Sequence, residues 1–257
     1  MLLTRLGIPK LWGADPDRLW RLARPPASRI TMALAPGSRG YGIERLPAEG
    51  GAVVAANHFS ALDPSLLGSF SRRTLYLMAK AELIGMPVIG EILSWTGAFP
   101  VRRGEGDRDA LRHSRKLVRE GHVLGVFVEG TRQRAGELGP VNPGAAMIAV
   151  QEGVPLVPCA LDSFGWSLKN RRACCVVWGE PMSLDGIPRT GRGYKQASQL
   201  IGEELKRLWG LAGEAVAAGF PPVLADGARR SRWIRPAATA REPYYERREN
   251  GLQLRVD

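Results

Sequence analysis

The stretch Val53-Val54-Ala55-Ala56-Asn57-His58-Phe59-Ser60-Ala61-Leu62-Asp63-Pro64 sets the framework for the whole chain. Its apolar half has the length of a buried strand, and Pro64 favours a chain reversal or a helix start. If the intervening residues form a tight turn, Asp63 returns to the side of His58, where a carboxylate can fix the imidazole tautomer and stabilise the imidazolium. The stretch therefore predicts a general base with its partner, and the alternative interpretation is a packed histidine followed by a helix-capping aspartate.

Outward from this stretch, strand-length apolar runs alternate with helical patterns. Strands are expected at 51–56, 74–79, 97–103, 123–128, 154–158 and 173–178, and helices at 65–70, 81–95, 107–120, 144–151 and 193–218. Charged signatures follow the carboxyl ends of several strands, which is where ligand sites gather in α/β sheets. We predict a single α/β domain in which helices flank a central mixed β-sheet.

The two ends of the chain differ from this pattern, which predicts domain limits of 37–219. Residues 1–36 contain short apolar and basic helical segments at 19–22 and 30–34, which either lie on a membrane surface or form an N-terminal helical cap. Residues 220–257 are rich in arginine and proline without sustained periodicity, and predict a basic, loosely ordered tail.

The composition limits the possible partners. The 257 residues carry 36 Lys and Arg against 25 Asp and Glu, a net charge of +11, which attracts phosphates on lipid headgroups, nucleic acid or phosphorylated cofactors. No nucleic-acid-binding motif accompanies this charge, so no specific nucleic acid is expected. With no apolar run of 18 residues and no signal peptide, we expect no transmembrane helix and a cytoplasmic protein, peripheral on the inner face of the cell membrane.

The cysteines and the remaining histidines predict no metal site. Cys159, Cys174 and Cys175 lie inside apolar runs and lack ligand spacing, so they are interpreted as reduced core residues. His113 and His122 have no acid at a useful spacing and are interpreted as surface helix or turn residues.

Four segments in order resemble the four sequence blocks of the glycerolipid acyltransferases, of which the 1-acylglycerol-3-phosphate O-acyltransferases are the best known. They are the NHxxxxD box at 57–63, Gly-Ala-Phe-Pro-Val-Arg-Arg at 97–103, Phe-Val-Glu-Gly-Thr-Arg at 127–132 and Val-Pro-Leu-Val-Pro at 154–158. The resemblance implies a glycerolphosphate-acyltransferase-like fold and transfer of a fatty acyl group from acyl-CoA or acyl carrier protein. It also implies a lysophospholipid acceptor, foremost 1-acylglycerol-3-phosphate, and no cofactor beyond the donor substrate.

The resemblance also assigns roles to residues. His58 takes the acceptor hydroxyl proton and Asp63 holds the imidazole, while backbone N–H groups in the turn after His58 are expected to stabilise the oxyanion. Arg103 and Arg132 are placed at the acceptor phosphate, and surface charge is the alternative for both. The remaining substrate-binding residues implied are Glu129, through a glycerol hydroxyl or an arginine, Gly130 and Thr131, with Asn57, Ser60 and Arg102 supporting the site.

Two departures from the family pattern keep other functions open. Val128 stands where the family has proline, and the segment 140–144, Pro-Val-Asn-Pro-Gly, lacks the lysine that many relatives carry before this glycine. One alternative is the same chemistry on glycerol phosphate, a lyso-glycolipid or a lyso-amino-acid lipid. Another is a non-catalytic protein that binds anionic membranes or nucleic acid, for which His58 is expected to lie beyond hydrogen-bond reach of Asp63.

Overall fold

The structure, a computed structural model, describes residues 16–80, 82, 98–101, 108–231, 245–248 and 251–254. Its helices are α1 (Pro16–Leu34), α2 (Asp63–Ser69), α3 (Arg108–Arg119), α4 (Gly144–Glu152) and α5 (Gly191–Ala217), with one 3-10 turn at Ile43–Arg45. Its strands are β1 (Arg39–Tyr41), β2 (Ala52–Ala56), β3 (Leu75–Lys80), β4 (Phe99–Val101), β5 (Val123–Phe127), β6 (Leu156–Asp162), β7 (Cys175–Trp178), β8 (Tyr245–Arg248) and β9 (Gly251–Leu254). The predicted helix at 81–95 falls almost wholly outside these residues, whereas the other predicted helices and strands inside them are present within a few residues of their expected bounds.

Seven strands form one mixed sheet in the order β1-β7-β6-β2-β5-β3-β4. Neighbouring strands run parallel except β6 and β7, which are antiparallel. The predicted mixed α/β sheet is thus confirmed. Central strand β2 is buried along its whole length because helices cover both faces of the sheet, which explains its continuous apolar run.

The alternation of β2 side chains assigns the helices to the two faces. Val53 and Ala55 pack in the core formed with α3, α4 and α5, whereas Val54 and Ala56 pack in the core formed with α2. In the register of the sheet, Ala56 lies beside Phe127 of β5 and Cys159 of β6. The chain segments that leave β2, β5 and β6 therefore emerge side by side.

The N-terminal region differs from the two short helices predicted there. The structure has one helix, α1, that continues through Pro25 and Pro26. Each proline removes a helical N–H donor, yet tertiary contacts of the inner face hold the helix against α2. In these contacts Arg24 Nη2 donates to Ser69 O at 3.0 Å, and the hydroxyls of Thr31 and Ser65 are hydrogen-bonded. Among the helices in the described ranges, none is both long and apolar enough to span a bilayer.

The first part of the predicted loose tail is ordered along the edge strand β1. The N–H of Gly42 donates to Arg229 O at 3.1 Å, and Ser231 N–H donates to Gly40 O at 2.8 Å. Arg45 Nη1 donates to Asp226 Oδ2 at 2.8 Å. The prediction of a loose segment was wrong for 220–231 because an edge strand offers unpaired backbone groups that this segment fills. Farther on, β8 and β9 form an antiparallel hairpin, and the domain limits of 37–219 stay a prediction.

Candidate active site

Asn57 extends the connection between β2 and β6 beyond the sheet. Its side-chain Nδ2 donates to Leu161 O at 2.9 Å, and its Oδ1 accepts from Leu161 N at 2.7 Å. The amide is completely buried, so these two bonds satisfy it where water cannot. Asn57, predicted to support the site, therefore fixes the point from which the chain turns into His58.

His58 and Asp63 are in direct contact. His58 Nδ1 lies 2.8 Å from Asp63 Oδ2, the carboxylate is fully buried, and the imidazole is 12% exposed. Because a carboxylate accepts, the ring donates through Nδ1–H, which leaves the lone pair on Nε2 available to take a proton. This contact is what a base with its partner requires, and it is the opposite of what the non-catalytic alternative expects. The catalytic roles of both residues stay a prediction.

Four further donors from the turn and from a distant segment surround the Asp63 carboxylate. Oδ2 accepts from Phe59 N at 2.7 Å and Ser60 N at 2.8 Å, while Oδ1 accepts from Ser60 Oγ at 2.8 Å and from Ser163 Oγ. A buried carboxylate needs such donors to offset its lost hydration. The Asp63 carboxylate therefore holds the turn together. It does not act as an ordinary helix cap, because its donors precede α2 or follow β6.

Three of the N–H groups in the turn, where oxyanion donors were expected, already have acceptors within the turn. The N–H groups of Phe59 and Ser60 point to Asp63, and Leu62 N–H donates to Ser60 Oγ at 3.2 Å. A donor already committed to a buried carboxylate is not available to a developing oxyanion. The N–H groups of Phe59, Ser60 and Leu62 are therefore used to hold the turn that joins the base to its partner.

The last residue of β5 and the segment that follows this strand hold His58 in place. The Phe127 ring stacks on the imidazole with a centroid separation of 4.2 Å and an angle of 22° between the planes. Glu129 Oε2 accepts from His58 N at 2.6 Å, and Gln133 N donates to His58 O at 2.8 Å. The ring, the N–H and the carbonyl of His58 are therefore each fixed by one residue of the segment 127–133.

Glu129 was expected to contact a glycerol hydroxyl or orient an arginine, and the structure gives it different partners. Besides His58 N–H, its carboxylate accepts Gly139 N–H through Oε1 at 2.8 Å. The residue is 7% exposed, and burial raises the pKa of its carboxyl. Both oxygens therefore serve backbone donors from two different segments.

Gly130 turns the chain sharply after Glu129. Its φ of 72° lies in the left-handed region, and an added Cβ would come within 3.1 Å of Asn142 Nδ2. Asn142 N donates to Val128 O at 2.8 Å, which closes the loop from 130 to 142 back onto the end of β5. Thr131 and Arg132 are exposed on this loop, and Arg102 and Arg103 lie outside the described residues.

The sequence interpretation of the other histidines was wrong, because both are buried. His113 makes an edge contact with the Phe99 ring at 4.8 Å, and His122 packs against Tyr76 at 4.9 Å between centroids. Burial, then the nearby charges of Lys116 and His122, lower the pKa of His113 to about 4. The position of His113 in a helix did not indicate its burial, since the burial depends on packing against Phe99 of β4, an element outside the helix.

Ser163 is the contributor to the site that sequence reasoning missed. It follows β6 and is fully buried with its hydroxyl on Asp63, one hundred positions away along the chain. A sequence signal existed, since a serine directly after a buried strand stands at the edge where His58 and Glu129 were already expected.

The chain is similar to known acyltransferases. A family profile described as Acyltransferase matches residues 38–162. The chain is 34% identical to the 1-acyl-sn-glycerol-3-phosphate acyltransferase of Bacillus subtilis over 61% of this chain and 79% of that protein. It is 32% identical to the human 1-acyl-sn-glycerol-3-phosphate acyltransferase beta over 54% of this chain and 51% of the relative.

A solved structure shows the same fold. The crystal structure of the 1-acyl-sn-glycerophosphate acyltransferase from Thermotoga maritima matches with a TM-score of 0.62 at 22% identity, over 80% of this chain and 86% of that one. At 22% identity this likeness shows the fold alone. The Bacillus subtilis relative, 34% identical and covered over 79% of its length, shows that the chain belongs to the glycerolipid acyltransferase family.

Proposed function

We propose that this protein transfers a fatty acyl group from a thioester, acyl-CoA or acyl carrier protein, to the free hydroxyl of 1-acylglycerol-3-phosphate, giving phosphatidic acid. The observation that carries the proposal is the contact between His58 Nδ1 and the buried Asp63 carboxylate at the carboxyl end of β2. Relatives named for this reaction support the acceptor.

The geometry supplies a base without a protein nucleophile. Asp63 holds the imidazole as the Nδ1–H tautomer, so that Nε2 takes the hydroxyl proton while the hydroxyl oxygen attacks the thioester carbonyl. The tetrahedral intermediate then collapses, the carbon–sulfur bond breaks, and the leaving thiolate recovers the proton from the imidazolium. General base action of this kind contributes about 10² to 10⁴ in rate.

Direct attack by the acceptor hydroxyl is consistent with the surroundings of the serine and cysteine side chains near the site, among the residues that the structure describes. The hydroxyls of Ser60 and Ser163 donate to Asp63, which makes them part of its support. The three cysteines are buried and free, and burial raises the pKa of each thiol, that of Cys174 to about 12. Buried thiols of this kind are inert.

The acceptor phosphate is assigned to arginines. Arg132 is exposed on the loop that Gly130 begins, within the segment that fixes His58, and a guanidinium pairs with phosphate through two parallel bonds. By the family resemblance Arg103 binds the same phosphate, and we assign Thr131 to the substrate and Arg102 to a supporting part.

The proposal includes a peripheral site of action on the inner face of the cell membrane, supported by the distribution of side chains on α1. Its buried face carries Trp20 together with the polar Arg24 and Thr31, whereas Leu22 is 67% and Ile30 62% exposed, with Arg29 exposed beside Ile30. A helix that exposes large apolar side chains beside a basic residue suits the surface of an anionic bilayer. Membrane contact also brings the base to a lipid acceptor.

A second acceptor class is favoured by the loop from 130 to 142. Val141 and Asn142 replace the phenylalanine and lysine of many relatives, and Asn142 lies near Gly130 at the site. With one cation fewer, the same base chemistry suits an acceptor of lower charge, such as a lyso-glycolipid or a lyso-amino-acid lipid.

Thioester turnover with a panel of lysolipids tests both proposals, with wild type compared against His58→Ala and an exposed control, Lys206→Ala. We expect turnover with 1-acylglycerol-3-phosphate to fall about 10² or more in His58→Ala and to remain in Lys206→Ala. Turnover with a different acceptor alone would change the assigned substrate and leave the mechanism in place. Activity unchanged by His58→Ala would refute the mechanism.

A further inference from the structure

Glu129 is a buried acid whose two oxygens are assigned to backbone groups. Oε2 accepts His58 N–H at 2.6 Å and Oε1 accepts Gly139 N–H at 2.8 Å. His58 follows β2, and Gly139 belongs to the loop between β5 and α4, so the carboxylate joins two segments that share no strand pairing. It is the side chain through which this loop reaches the backbone of the base.

The hydrogen bonds of Glu129 argue against a contact between its carboxylate and the acceptor. A carboxylate that accepts two N–H groups has its negative charge shared with them, and it would repel an approaching phosphate. The 7% exposure leaves little of the side chain open to a ligand. Arg132, three residues farther along the chain, is exposed and has the charge that a phosphate needs.

We propose that Glu129 is a positioning residue for His58, which fixes the backbone of the base to the loop at Gly139 and does not bind the acceptor. The inference rests on the proposed role of His58 as the base. A base must lie within hydrogen-bond reach of the hydroxyl that it deprotonates, and a displacement of 1 Å can cost about 10² in rate. Phe127 stacking and the Gln133 N–H bond leave the His58 N–H as the contact that Glu129 alone supplies among the described residues.

The first test is Glu129→Gln, which keeps the side-chain size. The amide oxygen can accept one N–H, but its NH2 group faces the other N–H and cannot accept it. We expect kcat to fall at least tenfold while KM for the acceptor stays within about twofold. Arg132→Gln is the matched variant and is expected to do the reverse, raising KM for a phosphate-bearing acceptor.

A second test needs no acceptor. The chain has three histidines, so their amide signals can be assigned in NMR spectra. Glu129→Gln is expected to shift the His58 amide signal, because this N–H donates to Glu129, and to leave the amide signals of His113 and His122 unchanged. These spectra report on His58 even if the acceptor differs from the one proposed.

The outcomes separate the two roles. A rise of tenfold or more in acceptor KM with kcat retained, or unchanged His58 signals in Glu129→Gln, would overturn the positioning role. If Glu129→Gln does not fold, Glu129→Asp retains the charge but is one methylene too short to reach both N–H groups. It must then show the same loss of kcat at constant KM, and normal kcat in Glu129→Asp would also contradict the proposal.

Discussion

Acid should destabilise this protein through His113, whose neutral form the fold selects. Burial, then the charges of Lys116 and His122, lower its pKa from an ordinary 6.5 to about 4. A histidine with a lowered folded pKa binds its proton more readily when unfolded, so stability is complete above about pH 6.5 and is lost as pH falls toward 4. The linkage relation gives a loss of about 2 kcal/mol at pH 5 and about 3 kcal/mol at pH 4.

The measurement is urea unfolding of wild type and His113→Leu at several pH values between 7 and 4. Leucine fills the apolar contact with Phe99 and carries no proton, so its unfolding free energy should fall less with acid. We expect the difference between the two proteins to change by about 3 kcal/mol over this range, since effects shared by other groups cancel. The NMR titration midpoint of the His113 ring should lie near 4. Parallel pH curves for the two proteins, or a midpoint near 6.5, would refute the reasoning.

Two further predictions concern the site and the membrane. Ser163→Ala removes one of the donors to Asp63, and steady-state kinetics should show kcat lowered about threefold to tenfold with KM retained; an unaltered kcat would exclude a role for this hydroxyl. The double variant Leu22→Ser and Ile30→Ser should weaken cosedimentation with anionic vesicles at least about tenfold. The control double variant Leu200→Ser and Val223→Ser, at two other exposed positions, should bind the vesicles as wild type does. Equal binding by the two double variants would show that α1 is not the surface that contacts the bilayer.

The sequence predicted the parts of the site that depend on neighbours along the chain. His58 and Asp63 are five residues apart, and the turn between them follows from a strand end and a proline. The long-range partners were not predictable in this way, because Glu129 meets His58 and Ser163 meets Asp63 only through the register of β2 with β5 and β6. Glu129 was identified as a site residue, but its partners could not be read from its type.

Tertiary packing also overrode local preference at both ends of the sheet domain. Pro25 and Pro26 predict a break, yet α1 continues because its inner face contacts α2. The segment 220–231 has no periodicity of its own, and its order comes from pairing with β1 and from the contact between Arg45 and Asp226. In both cases the deciding interaction lies with an element that a local pattern does not include.

The arrangement of the three central strands separates support of the base from recognition of the acceptor. The β6 end supplies Leu161 to Asn57 and Ser163 to Asp63, whereas the β5 end supplies Phe127 and Glu129 to His58. The loop from 130 to 142 contacts the base directly through the Gln133 N–H and indirectly through the Gly139 N–H, which donates to Glu129, and any residue except proline provides such a donor. Its exposed side chains can therefore differ between relatives without moving His58, and the departures at 141 and 142 are expected to act on acceptor choice rather than on the base.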